Sequence, residues 1–353
     1  MTKHASRIEV SAAPGELQDW FEAQGLSDGL PVVPPTPELV AAMVLASGQP
    51  ADADLARVAP SGTMATVEKV AINAVMAGCR PVYMPVLLAA LRALSQPAFN
   101  LAGIQATTHP VAPLLFVHGP VRNEIGLNSG SNVFGQGFRA NATIGRAIRL
   151  VLTNLGGGVP GRTDMATFGT PAKFSFCAGE NEEASPWEPY HVEHGRRGED
   201  SAVLVHGGEA PHNLQDHASA TPNELLMTFA QSMAILGHNN AGMGGEMLLV
   251  LGPEHARILA DHGMSKADVR HELHGRMRMR FDTMGVALRN FYRNRRPAIN
   301  TGPEVEEISF LDDPSQILVV VAGGPGLHSM FVPSFGESTR SVLQRIERPL
   351  PIR

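Results

Sequence analysis

Cysteine is scarce in this chain: Cys79 and Cys177 are its whole complement in 353 residues. Two cysteines so far apart make neither a disulfide framework nor a CxxC pair. Charge is also low, at 18% Asp, Glu, Lys and Arg against roughly 25% in an average soluble domain. With 43% hydrophobic residues, that balance excludes intrinsic disorder and a charge-driven fibrous design. Positive charge is not in excess, since 28 Lys and Arg face 34 Asp and Glu for a formal net charge of -6. Nothing global draws the chain to a polyanion, so nucleic-acid binding is not expected. No apolar run reaches the roughly 18 residues a bilayer span needs. The best candidate, MPVLLAALRAL, is short and contains Arg92, so no membrane association is expected. The opening MTKHASRIEVSAAPGE lacks the apolar stretch of a secretory signal, and a reducing cytoplasm is the expected compartment.

Glycine (36) and proline (27) are plentiful, about 18% together where about 12% is ordinary, and there are 14 histidines. Shaped loops carrying titratable side chains are therefore expected. At this length the chain forms one large domain or two. The turn-rich stretch EHGRRGED suggests a division into 1–198 and 199–353, although one continuous domain with insertions would read much the same.

In the N-terminal third, Thr36 as N-cap and Pro37 at the first helical position predict a helix over about 37–47. TMATVEKVAINAVMAGCRPVYMPVLLAALRALS reads as a helical hairpin: Val67, Val70, Ala71, Ala74 and Val75 share one face, Gly78 closes the first helix and Pro81 blocks its continuation. Further helices start at Thr221, with Glu224 three residues on, and at Ser265, with Asp268 in the same relation. Four segments share another plan: APLLFVHGP, SAVLVHGGEAPHN, EMLLVLGPEHA and QILVVVAGGPGLHS each run from an unbroken apolar strand into glycine and a polar or histidine loop. Unbroken Val/Leu runs suit strands buried on both faces by helices. The fold expected is α/β: a mostly buried sheet flanked by helices, with an N-terminal helical hairpin and two α/β halves that could be related. The C-terminal STRSVLQRIERPLPIR reads as an edge strand followed by an extended end.

Ligands of open α/β sheets gather beyond the carboxyl ends of the strands. In LNSGSNVFGQGFRANATIG, Asn132, Gly135 and Gly137 precede a helix, with Arg139 beside its free amides, an arrangement suited to a carboxylate or phosphate. A tight turn capping a buried helix fits it equally well. His328 and Ser329 follow the glycines of AGGPGLHS, and Asn239 sits in GHNNAGMGGE; both are candidates for holding a substrate. The densest reactive segment, KFSFCAGENEEASPWEPYHVEHG, holds Lys173, Cys177, Glu180, Glu182, Glu183, Glu188, His191 and His194. Cys177 is either a core residue or a nucleophile. Glu180 or Glu183 is the candidate general base, and His109 or His212 the proton donor.

A divalent site could be assembled from separate loops, with His191, His206 and Glu246 as the leading ligands; His109, His212, His217, Glu180, Glu183 and Glu209 are further donors. Two or three histidines with a carboxylate suit zinc, iron or manganese. His255, His262, His271 and His274 lie on capped amphipathic helices and read as a solvated face. Arg276, Arg278 and Arg280, with the arginines of FYRNRRP, offer a local basic patch for an acidic substrate or a subunit contact.

The strings DGLPVVPPT, ATVEKVAINAVMAGCRP, QATTHPVAP, NEEASPWEPYHVEHG and GPEHARILADHGMSKADVR together resemble an uncharacterised bacterial UGSC-like family of seleno- or thiol-associated proteins. The resemblance spans nearly the whole chain, but the chain has no UGSC or CGSC tetrapeptide. It implies an enzyme of small-molecule metabolism, with a thiol or selenol protein as a conceivable partner. The residues themselves support three functions: a lyase or hydrolase that cleaves or hydrates a small anionic substrate through a divalent metal or Cys177; a thiol-linked oxidoreductase using Cys177; or a non-catalytic small-ligand binder. The apolar stripe of VLLAALRAL is compatible with a homo-oligomer or with internal packing.

Overall fold

The computed structural model describes residues 5–11, 13–295 and 307–347. In chain order its strands are β1 (Asp54–Val58), β2 (Thr63–Thr66), β3 (Ala112–His118), β4 (Cys177–Gly179), β5 (Ala202–Gly208), β6 (His212–Gln215), β7 (Met247–Leu251), β8 (Arg278–Arg280), β9 (Glu307–Ser309), β10 (Ile317–Val321), β11 (His328–Val332) and β12 (Val342–Arg345). Two four-stranded mixed sheets dominate, ordered β12-β5-β3-β4 and β10-β7-β11-β6.

The helix signals operate locally. Thr36 caps helix Pro37–Ser47 by accepting from the Leu39 amide, and helices Val67–Met76 and Met84–Leu94 form the expected hairpin. Gly78 sits between them at φ +86°, a left-handed conformation that a side chain would strain. Ser265 and Asp268 make a reciprocal capping box. Thr221 caps its helix too, but the Glu224 carboxylate accepts from the Thr221 hydroxyl rather than from its backbone. Among the described residues, no single helix is long and apolar enough to cross a membrane.

The unbroken apolar strands are buried on both faces, but only one cover is helical. In β3, Leu115 and Val117 pack into the core formed with helices Val67–Met76, Met84–Leu94 and Arg139–Asn154. Leu114 and Phe116 point the other way, onto Leu248 and Val250 of β7 and Leu318 and Val320 of β10. Met247, Leu249, Ile317 and Val319 then face the C-terminal helices. The layers therefore run helices, sheet, sheet, helices. A period of two gives each strand two apolar faces, and the pattern cannot say whether a helix or another sheet lies on each.

The two sheets repeat one topology. From β4 or from β10 inward, the first pair is parallel and the next two are antiparallel. Of β3 to β6, three strands share a sheet and β6 crosses over to pair with β11; of β7, β10, β11 and β12, three share a sheet and β12 crosses back to pair with β5. The crossing chains touch where Gly208 bridges Ser334. A cut at 198/199 leaves β5 and β12 in the C-terminal part, while their sheet partners β3 and β4 stay in the other. β12 is an edge strand, and residues beyond 347 lie outside the described ones.

Candidate metal centre

The carboxyl ends of β3 and β4 bring together His118, Glu180, Glu182 and His191, whose ligating atoms all lie within 4.8 Å of one another. β3 delivers His118 as its last residue. Gly119 then turns the chain at φ +83°, hard against the backbone of Asp200 and Ser201, where a Cβ would not fit. β4 pairs in parallel with β3 and delivers Glu180 just beyond its end, and a short helical turn, Tyr190–Glu193, supplies His191.

The hydrogen bonds fix how these groups present themselves. Glu180 accepts from the Tyr190 amide (2.9 Å) and lies 2.7 Å from His118 Nδ1. Burial alone would raise the Glu180 pKa, but the His118 contact, nearby Lys266 and the Tyr190 amide hold it below the ordinary value. An ionised carboxylate only accepts, so Nδ1 of His118 carries the proton and, in the neutral ring, Nε2 keeps the lone pair. That Nε2 is buried without a hydrogen-bond partner; the enclosed ring of His191 has only looser contacts, Nδ1 lying 3.7 Å from Glu182 with the Gly198 backbone nearby. Burial lowers the His191 pKa, partly countered by Glu182.

Glu182 accepts from the Gly119 amide at 2.6 Å, and its other oxygen lies 3.0 Å from Arg122 Nη2. Its side chain is 14% exposed, whereas those of His118, Glu180 and His191 are fully enclosed. Buried Arg122 also pairs with Glu183, whose pKa is held down to about 2 chiefly by that guanidinium. Lys266 lies 3.9 Å from Glu180 and 3.2 Å from Glu193, and Arg270 also bonds Glu193. The carboxylates of Glu180, Glu182, Glu183 and Glu193 thus outnumber the cations Arg122, Lys266 and Arg270, a balance that suits an added cation.

The residues fit a divalent metal. Two imidazoles with open lone pairs and one carboxylate converge, and a second carboxylate orients one imidazole from behind, as is usual for metal-bound histidine. No protein-family model matches the chain, and no curated protein matches it.

The other residues singled out from the sequence fall elsewhere. Cys177 is buried in β4 on the face towards the N-terminal helices, and burial pushes its thiol pKa far up, with neighbouring Cys79 adding to the shift. His206 and Glu246 form a separate group joined by Ser341: His206 Nδ1 lies 2.8 Å from the Ser341 hydroxyl, and the Ser341 amide donates to Glu246 at 2.6 Å. Burial lowers the His206 pKa to about 4 and raises that of Glu246. His109 and Asn239 meet at Glu209, 2.8 Å from His109 Nε2 and 3.1 Å from the Asn239 amide. His212 is exposed on β6, its ring 5.1 Å from that of Phe331.

Asn132, Gly135, Gly137 and Arg139 are all exposed; Asn132 holds the Gln136 carbonyl within that turn, and Arg139 donates to the Gly78 carbonyl. Upstream, Ser129 and Ser131 meet the Gly323–Gly324 turn, so the two glycine-rich loops do adjoin. Ser329 is buried and accepts from the Gly252 amide, with His255 Nδ1 2.8 Å away. His255 is thus a core residue on its helix, not part of a solvated face: its Nε2 lies 3.0 Å from the Asp216 carbonyl. The sequence does not mark His118 as a ligand, because it ends a strand and has no polar neighbour in sequence. Its one signal is position, at the strand end before a glycine.

Proposed function

We propose that this chain binds a divalent transition metal through His118, His191 and Glu182, with Glu180 orienting His118, and that the centre serves acid–base cleavage or hydration of a small anionic substrate. One observation carries the metal reading: the ligating atoms of two enclosed imidazoles and two carboxylates converge within 4.8 Å, and His118 Nε2 is buried among them with no hydrogen-bond partner. A buried polar atom left alone costs about 1–3 kcal/mol, so one amid converging donors is best explained by a ligand. Zinc, iron or manganese would suit two imidazoles and a carboxylate, and such an ion supplies Lewis acidity and a more acidic bound water.

The chain's own part in catalysis falls to Glu182. It is the one member of the four whose side chain reaches solvent, so a substrate would approach past it, and as a ligand it would hold the ion at that opening. Arg122 and the Gly119 amide hold that carboxylate in place. Cys177 has no role in this reading, because its thiol is enclosed and far from forming a thiolate.

Elemental analysis of the full chain purified without chelator tests the proposal. About one equivalent of metal is expected, falling below a tenth in His118→Ala and His191→Gln while Cys177→Ala keeps it. Circular dichroism on each variant separates metal loss from unfolding. Absence of stoichiometric metal, together with no uptake of Zn2+, Fe2+ or Mn2+ by the folded chain, would overturn it.

A further inference from the structure

Away from the buried centre, β11 pairs antiparallel with the edge strand β6, placing His328 opposite Gln215 and Met330 opposite Asn213. His217 follows Gln215 by two residues, and its ring returns to meet His328. The two Nε2 atoms share a hydrogen bond at 3.2 Å, the ring planes stand at 89°, and both residues are exposed. His328 Nδ1 is 3.0 Å from Asn213 Oδ1. That oxygen only accepts, so Nδ1 donates, and the Nε2 of a neutral His328 presents its lone pair towards His217.

Two imidazoles bound to one ion at about 2.0–2.1 Å, at angles between tetrahedral and square, hold their nitrogens about 2.9–3.4 Å apart. The hydrogen-bonded spacing lies in that range, so an ion could take the place of the shared proton with little movement of either ring. The Asn213 contact is the kind of outer hydrogen bond that sets the tautomer and orientation of a metal-bound histidine.

We propose that His217 and His328 form a two-imidazole clamp for a borderline divalent ion, separate from the buried centre, favouring Cu2+ over Ni2+ and Zn2+. With imidazole donors and no carboxylate in the pair, Mg2+ and Ca2+ are poor fits. Two protein donors leave further positions open, so the ion exchanges readily and can take a donor from solvent or from another molecule. The clamp binds more weakly than three enclosed donors would.

Calorimetric titration of the full chain with Zn2+, after chelator treatment, reads both sites. Two events are expected. His217→Ala and His328→Gln should each weaken the lower-affinity event at least tenfold and leave the tighter one intact, while His118→Ala does the reverse. Asn213→Ala, which keeps both rings, should weaken the clamp by a smaller factor. All surface variants should melt as the parent does in chelator. A lower-affinity event unchanged in both histidine variants, or the lack of any such event in the parent chain, would overturn the clamp. Neither result touches the buried centre, which His118→Ala tests by itself.

Discussion

His118 Nδ1 sits 2.7 Å from the Glu180 carboxylate, with both side chains closed off from solvent. That contact joins the ends of β3 and β4 and fixes which nitrogen of the ring remains open. The buried charge of Glu180 is balanced by Lys266, 3.9 Å from its other oxygen.

Replacing Glu180 by glutamine keeps the shape and removes the charge. Metal affinity at the buried centre should fall about 10- to 100-fold, measured by competition with a chromophoric chelator. Glu180→Leu should do more, destabilising the chelator-treated protein by about 1–3 kcal/mol for each buried donor it strands, the His118 Nδ1 and the Tyr190 amide, read in urea. Equal metal affinity in parent and Glu180→Gln would show that the carboxylate does not orient a ligand.

Acid should weaken the fold through its buried histidines. Burial lowers the pKa of His191, His206, His238 and His255. For His206 the folded value is about 4 against 6.5 for the free side chain. Between those values the unfolded chain binds the extra proton, so stability is complete above the upper one and declines as pH falls through the window. The His206 share is on the order of 3 kcal/mol. Urea midpoints from pH 7 to 4 should drop, and His206→Gln should flatten the slope.

Cys177 should resist alkylation by a neutral reagent at pH 7 in the folded chain and react once urea exposes it. Desolvation disfavours the thiolate that would attack. Fast labelling of the native protein, with one adduct located at Cys177 by mass spectrometry, would reopen a thiol mechanism.

Gly245→Ala probes the contact between the approach to β7 and the chain that crosses to β12. Gly245 lies just before β7 at φ +88°, and a Cβ there would collide with the backbone of Gly336 and Glu337 on the chain leading to β12. Strain of about 1–3 kcal/mol is expected, read as a lower urea midpoint. An alanine at Gly263, also at positive φ (+81°) but with open space around its Cβ, should cost less.

Local signals settled the elements. Thr36, Ser265 and Gly78 act on the few residues beside them, and the unbroken runs of β3, β5, β7 and β10 require burial on two faces. Helix boundaries and strand cores were therefore readable from the chain alone. The second cover was not, since Leu114 and Leu115 look alike in sequence and yet face a sheet and a helix layer respectively. The candidate site was half legible. Glu180, Glu182 and His191 stood out as a dense polar segment, whereas His118 joined them only through the parallel pairing of β3 with β4. His206 and Glu246, just as plausible from the chain, went to a separate contact through Ser341. Propensity and periodicity act over one or two turns of chain, whereas the meeting of His118 with Glu180 spans 62 positions and depends on which strands pair. Sequence thus determined which segments fold and which residue types reach the strand ends; tertiary packing decided which of those residues share a pocket.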